Sequence, residues 1–344
     1  MCLLNKTIFC ALLIFALVPF QAQAWKRSPA TTFAVLPQGA TNPEGIAVDK
    51  QGNVYVTAFG LGSKEAGQVI VFNSSGGLLR QLRVADSSAL LLGLAFHPTT
   101  GNLLVIDFGA KKVLKVDSFT GASTVFTTIP GEKAGGPNVM TFDSAGNVYI
   151  SDSFQGVIWR SDKNGNGVAA GVPDMWAKDE LLKANGVPPF GANGLAFNNS
   201  GDAMFVANTA NDTVVKIPVD ASGNAGKPEV FVNSINGADG LIIDEAGNLW
   251  VAANQANEIV VLDPTGRVIA KLGDFDGIGR DGAPIGLLFP ASLIRSGKFI
   301  YVTNLALDLR LFGLAQTLDG QWAAAVKTHT IAKIRAIFPF VAGL

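Results

Sequence analysis

A short unit recurs six times in this chain, and no other feature limits its fold as tightly. Each copy has an apolar run that opens on or beside a glycine in most cases, a turn ending in Gly-Asn or similar, and a second apolar run. It reads PEGIAVDKQGNVYVTAF from Pro43 to Phe59 and LGLAFHPTTGNLLVIDF from Leu92 to Phe108. It returns as PNVMTFDSAGNVYISDS from Pro137 to Ser153 and as ANGLAFNNSGDAMFVANT from Ala192 to Thr209. The last copies are ADGLIIDEAGNLWVAAN from Ala238 to Asn254 and PASLIRSGKFIYVTN from Pro290 to Asn304. Runs of four to six residues rich in Val, Ile, Tyr and Phe, joined by a Gly-containing turn, are hairpin signals.

A third strand follows each pair, as at Gln68–Phe72, Lys112–Val116, Val157–Arg160, Val214–Ile217 and Glu258–Leu262. A fourth follows most of these after another glycine turn, as at Ser123–Thr128, Glu229–Asn233 and Arg267–Leu272. Four strands in each of six repeats predict an all-β fold, a six-bladed β-propeller of four-stranded antiparallel blades, whose radial packing leaves only short edges. Glycine content argues the same way. The chain has 39 glycines in 344 residues, and glycine is costly inside helices. Lys and Arg number 26 against 27 Asp and Glu, a net charge of -1. With no basic run, nucleic acid is not an expected partner.

The residue that opens each copy's first apolar run reads Glu44, Leu92, Asn138, Asn193, Asp239 and Ala291, at intervals of 48, 46, 55, 46 and 52 residues. Equivalent positions in six blades form a ring at one end of the central channel. Two carboxylates, Glu44 and Asp239, and two amide carbonyls, Asn138 and Asn193, then converge from separate blades. Such hard oxygen donors suit Ca2+, whereas zinc or copper would normally recruit His or Cys. Asx residues at strand starts also serve as local turn caps. A glutamate, and the alternation with Leu and Ala at one position, favour a ring.

At these residues the chain resembles the senescence-marker-protein/gluconolactonase family, six-bladed propellers related to the paraoxonases and diisopropyl-fluorophosphatase. Glu44-Gly45-Ile46 is similar to the family's Glu-Gly-apolar motif. Asn138 in Pro-Asn-Val and Asn193 in Ala-Asn-Gly-Leu match its ligand asparagines. Asp239-Gly240-Leu241, ahead of Asp244 and Gly247-Asn248-Leu249-Trp250, matches its ligand aspartate. The resemblance implies calcium-dependent hydrolysis of a cyclic ester, a lactone or similar small molecule, with the ion polarising the carbonyl and activating water. Asp239 is then the catalytic base or nucleophile, one oxygen on the metal and the other turned toward water or the electrophile, and Glu44 is a ligand only. Two other readings stand beside this one: a non-catalytic propeller that binds a ligand or a protein around a structural calcium, and a phosphotriesterase-like hydrolase. The last needs a channel histidine. His97 stands where other copies have Asp49, Asp143 and Asp244 in the hairpin turn, His329 falls in the last predicted strand, and the sixth ring position is Ala291 followed by Ser292.

Residues 1–24 read as a secretory signal, with Lys6, an apolar stretch from Ile8 to Phe20, and Ala22-Gln23-Ala24 before a cleavage at Trp25. Residues 25–344 would form one propeller domain, a monomer exported to a periplasm or the medium and not held in a membrane. Both cysteines, Cys2 and Cys10, lie in the leader, so the domain would rely on its core alone. Residues 162–167 resemble half an EF-hand loop, but Pro173 replaces the twelfth-position Glu, so an exposed turn is expected. The glycine-rich stretch 274–282 is expected near the channel mouth, and residues 181–190, in the longest interval, form the candidate lid. Thr31–Leu36 is an outer strand without a blade. It closes the ring against the last blade, or else residues 325–334 alone complete that blade.

Overall fold

The computed structural model describes residues 28–131, 134–314 and 320–336. The predicted leader and the apolar tail 337–341 lie outside them.

Six four-stranded antiparallel sheets stand around a central channel. Their inner strands are Pro43–Val48, Leu91–Phe96, Pro137–Phe142, Ala192–Phe197, Ala238–Ile243 and Pro290–Ser296. In the first five blades the remaining strands follow in chain order from the channel to the rim. The predicted third strands 68–72, 112–116 and 258–262 have those bounds. Second and third strands are almost wholly buried, whereas the outer strand Leu78–Arg83 is mostly exposed. This is why the middle runs read as continuously apolar and the outer ones do not.

The sixth blade is built from both ends of the chain. Its sheet runs from Pro290–Ser296 through Phe299–Asn304 and Thr330–Arg335 to the N-terminal strand Thr31–Val35. Thr31 pairs with Lys333 and Val35 with Thr330. The first of the two closures is the one the chain adopts, and His329 sits just before the last strand, not in it.

Apolar cores lie between neighbouring blades. Ala47, Tyr55 and Val71 of blade one interlock with Leu94, Val105 and Leu114 of blade two. Across the closure, Phe33, Tyr301 and Ile331 meet Val54, Val56 and Ile70. Among the described residues the only α-helix is Gly320–Ala323, and no helix is long and apolar enough to cross a membrane.

The first turns of the blades are pinned by side chains. Asp143 Oδ1 accepts from the amides of Ala145 and Asn147, both at 2.9 Å. His97 does the same work in blade two. Its Nδ1 accepts from the amides of Thr99 and Thr100, and Nε2 meets the Gly146 carbonyl of the next blade at 2.9 Å. Residues 162–167 form the expected turn, with Asp162 Oδ1 accepting from Asn164 and Asn166 at 2.8 Å. The stretch 274–282 contributes instead to a two-stranded excursion, Phe275–Ile278 against Pro284–Gly286. Gly282 bonds back to Lys327, and no residue of the stretch lines the channel mouth.

Candidate functional site

Each ring residue is the second residue of an inner strand, and at that point every inner strand slips register against its neighbour. The slips fall between Pro43 and Ile46, Leu91 and Leu94, Pro137 and Met140, Ala192 and Leu195, Ala238 and Leu241, and Pro290 and Leu293. Such bulges re-aim one side chain without ending the sheet. The following residue is glycine in four blades because the inner strands crowd together there. A Cβ at Gly194 would stand 2.3 Å from the Asp239 carbonyl, and one at Gly240 2.6 Å from that of Ala291.

The four polar ring residues, only 3–4% exposed, carry oxygens with no partner: Glu44 Oε2, Asn138 Oδ1, Asn193 Oδ1 and Asp239 Oδ1. Their other ends are tied. Asn138 Nδ2 donates to Ser153 Oγ at 3.1 Å, and Ser153 donates onward to the Ala192 carbonyl at 2.7 Å. Asn193 Nδ2 donates to Thr209 Oγ1 at 3.0 Å, and Thr209 to the Ala238 carbonyl at 2.8 Å. With the nitrogens held, both carbonyl oxygens are left for the channel. Asn254 Nδ2 donates to Asp239 Oδ2 at 2.9 Å, and Asn254 Oδ1 is itself bare. The second oxygen of Asp239, expected to be free, is thus steadied by Asn254.

Leaving five buried oxygens unpaired is costly unless something meets them. Burial drives the Asp239 carboxyl up to about 7, and burial followed by the nearby Asp239 charge raises Glu44 well above the carboxylate range. Both acids line the same cavity. Among the described residues no group of three or more His, Cys, Asp or Glu gathers to hold a metal, so an ion here must be held by a mixed carboxylate and amide set. Two negative charges and several neutral carbonyl oxygens fit a hard divalent cation of the calcium kind.

These groups line a cavity of about 40 Å³. Its other face is apolar: Phe59, Leu92, Phe108, Phe289, Leu305 and Leu307. Pro188 and Phe190 of the predicted lid also reach it. A second ring is visible here, formed by the residue that follows each blade's second strand: Phe59, Phe108, Ser153, Thr209, Asn254 and Leu305. It is polar over blades three to five and apolar over the rest. A wider cavity of about 660 Å³ opens at the opposite end of the channel, but none of the unpartnered oxygens lines it. Neither His97 nor His329 reaches the ring cavity. His329 Nδ1 instead accepts from the Asn42 amide at 3.1 Å, and burial lowers it to about 4.

Fold and site together define a six-bladed propeller with an oxygen-lined centre at one end of its channel. Residues 189–273 match the family model of the SMP-30/Gluconolactonase/LRE-like region, and that match contains Asn193 and Asp239, so the resemblance read from the sequence holds there. Residues 37–58, around Glu44, match the model of a β-propeller repeat. Similar solved structures include a luciferin-regenerating enzyme, 18% identical over 89% of this chain and 95% of that one, with a TM-score of 0.64. A calcium-binding regucalcin from Agrobacterium tumefaciens is 17% identical over 92% and 99%, with a TM-score of 0.62. A gluconolactonase from Xanthomonas campestris is 16% identical over 80% and 86%, with a TM-score of 0.59. At these identities the structures establish the fold. No curated protein sequence matches the chain at a significant level.

Proposed function

We propose that this protein is an exported, monomeric, calcium-dependent hydrolase that opens a cyclic ester at the Glu44–Asn138–Asn193–Asp239 ring. The observation that carries the proposal is the set of buried, unpartnered oxygens on four separate blades. Calcium, when bound, supplies Lewis-acid polarisation of the ester carbonyl. Glu44, Asn138 and Asn193 would hold it, with Asp239 Oδ1 completing the set. Asp239 Oδ2, kept in place by Asn254, takes the proton of the attacking water and hands it to the departing ring oxygen. The acyl C–O bond breaks, and one lactone and one water give one hydroxy acid. The gluconolactonase likeness supports this reaction class, and the signal-like leader supports export with Trp25 as the first mature residue.

The near-complete enclosure of the ring favours one other reading, a binding propeller with a structural calcium. Lactone hydrolysis by the purified protein, with calcium and after chelation, separates the two. Turnover that stops with chelator, returns with calcium and vanishes in Asp239→Asn supports the hydrolase. Calcium that raises the melting temperature with no lactone turned over supports the binding protein.

A further inference from the structure

The mouth of the ring cavity has a chemical character that a hydrolase of polyhydroxylated lactones would not need. We infer that the substrate is an apolar-substituted cyclic ester, carrying an alkyl chain or an aryl group, and not a sugar lactone. The inference rests on the hydrolase reading of the same site and adds the substrate class to it.

Three observations lead there. Each side-chain amide in the cavity wall already gives one N–H to a protein partner, Asn138 to Ser153, Asn193 to Thr209 and Asn254 to Asp239, and the Thr209 hydroxyl is given to the Ala238 carbonyl. With the ring oxygens given to calcium, the opposite face of the cavity offers a polyol only Phe59, Leu92, Phe108, Phe289, Leu305 and Leu307, against which its hydroxyls would lose water without gaining partners. Among the described residues no Lys, Arg or His lines the cavity, so a phosphate or carboxylate substituent has no countercharge. The aromatic side chains also continue outward as a chain. Phe59 meets Phe108 at 6.1 Å, Phe108 meets Phe154 edge-on at 5.6 Å, and Phe154 stacks on Phe190 at 5.7 Å. Phe59, Phe108 and Phe190 line the cavity and Phe154, which touches Phe108 and Phe190, is 46% exposed, so these rings join the cavity wall to solvent and suit an apolar tail whose ester group reaches the oxygens.

The test compares γ-octyl-butyrolactone with glucono-1,5-lactone on the calcium-loaded protein. Calorimetry with the non-hydrolysed γ-octyl-butyrolactam and a separate calcium titration run alongside. The expected result is a kcat/KM for the alkyl lactone higher by on the order of tenfold or more, with saturable lactam binding. Phe190→Ser raises KM for the alkyl lactone, leaves calcium affinity unchanged, and is rescued by Phe190→Leu. Equal or better turnover of gluconolactone overturns the substrate class and leaves the hydrolase reading standing. If neither lactone is turned over, the hydrolase reading fails, and the lactam decides the character of the site: saturable binding lost in Phe190→Ser sustains the apolar occupant, and its absence overturns it.

Discussion

Ser153 and Thr209 each do two things with one hydroxyl. Each accepts from the amide nitrogen of a ring asparagine and donates to the backbone of the next blade, so the aim of the asparagine and the spacing of the blades are fixed together. Asn254, at the matching place in blade five, spends its amide nitrogen on Asp239. A donor to a carboxylate favours its charged form and lowers its pKa. Asn254→Ala should therefore move the acid limb of kcat/KM upward by on the order of one pH unit, with the fold intact by circular dichroism. An unchanged limb would show that Asp239 Oδ2 does not carry the proton.

At the scale of the strand, the bulge and the glycine after it act as one device. The bulge turns a side chain into the channel, and the missing Cβ lets the neighbouring backbone approach closely enough for donors on different blades to meet. Gly194→Ala should lower stability by about 1–3 kcal/mol and weaken calcium binding as well, checked by denaturant melts and calorimetry. The ring was legible in the sequence because Glu44, Asn138, Asn193 and Asp239 share one place in the repeat. Asn254 sits at an equally regular place, where each second strand has just ended, and the same comparison would have found it. Its companions there, Phe59, Phe108 and Leu305, read as ordinary core residues until the fold turned them toward the channel. The excursion at 275–286 has no counterpart in other copies, so its position was not legible. Closure of the ring stayed open between two forms because pairing of strands so distant in sequence leaves no periodic mark.

For the molecule as a whole, the buried acids link stability to pH. Asp239 titrates near 7 when folded, against an ordinary value of 3.8. The stability associated with its protonated form is therefore complete below about pH 4 and lost as pH rises through about 7. Glu44 shifts the same way. The melting temperature of the calcium-free protein should fall between pH 5 and 8, and calcium should raise it more at pH 8 than at pH 5. A flat profile without calcium would argue that the acids are not buried together. Removing the strand Thr31–Val35 should expose the edge of Thr330–Arg335 and drive self-association, visible by light scattering. That seam also sets an order in time. Thr31 and Lys333 are 302 positions apart, and the backbone of Glu44 is held by Thr303 of the last blade. The chain makes its closing strand near the start of synthesis and that strand's partner near the end. A product cut short before residue 303 would lack both the clasp and the hold of Thr303 on Glu44, so the ring of oxygens comes together only once the last blade has been made.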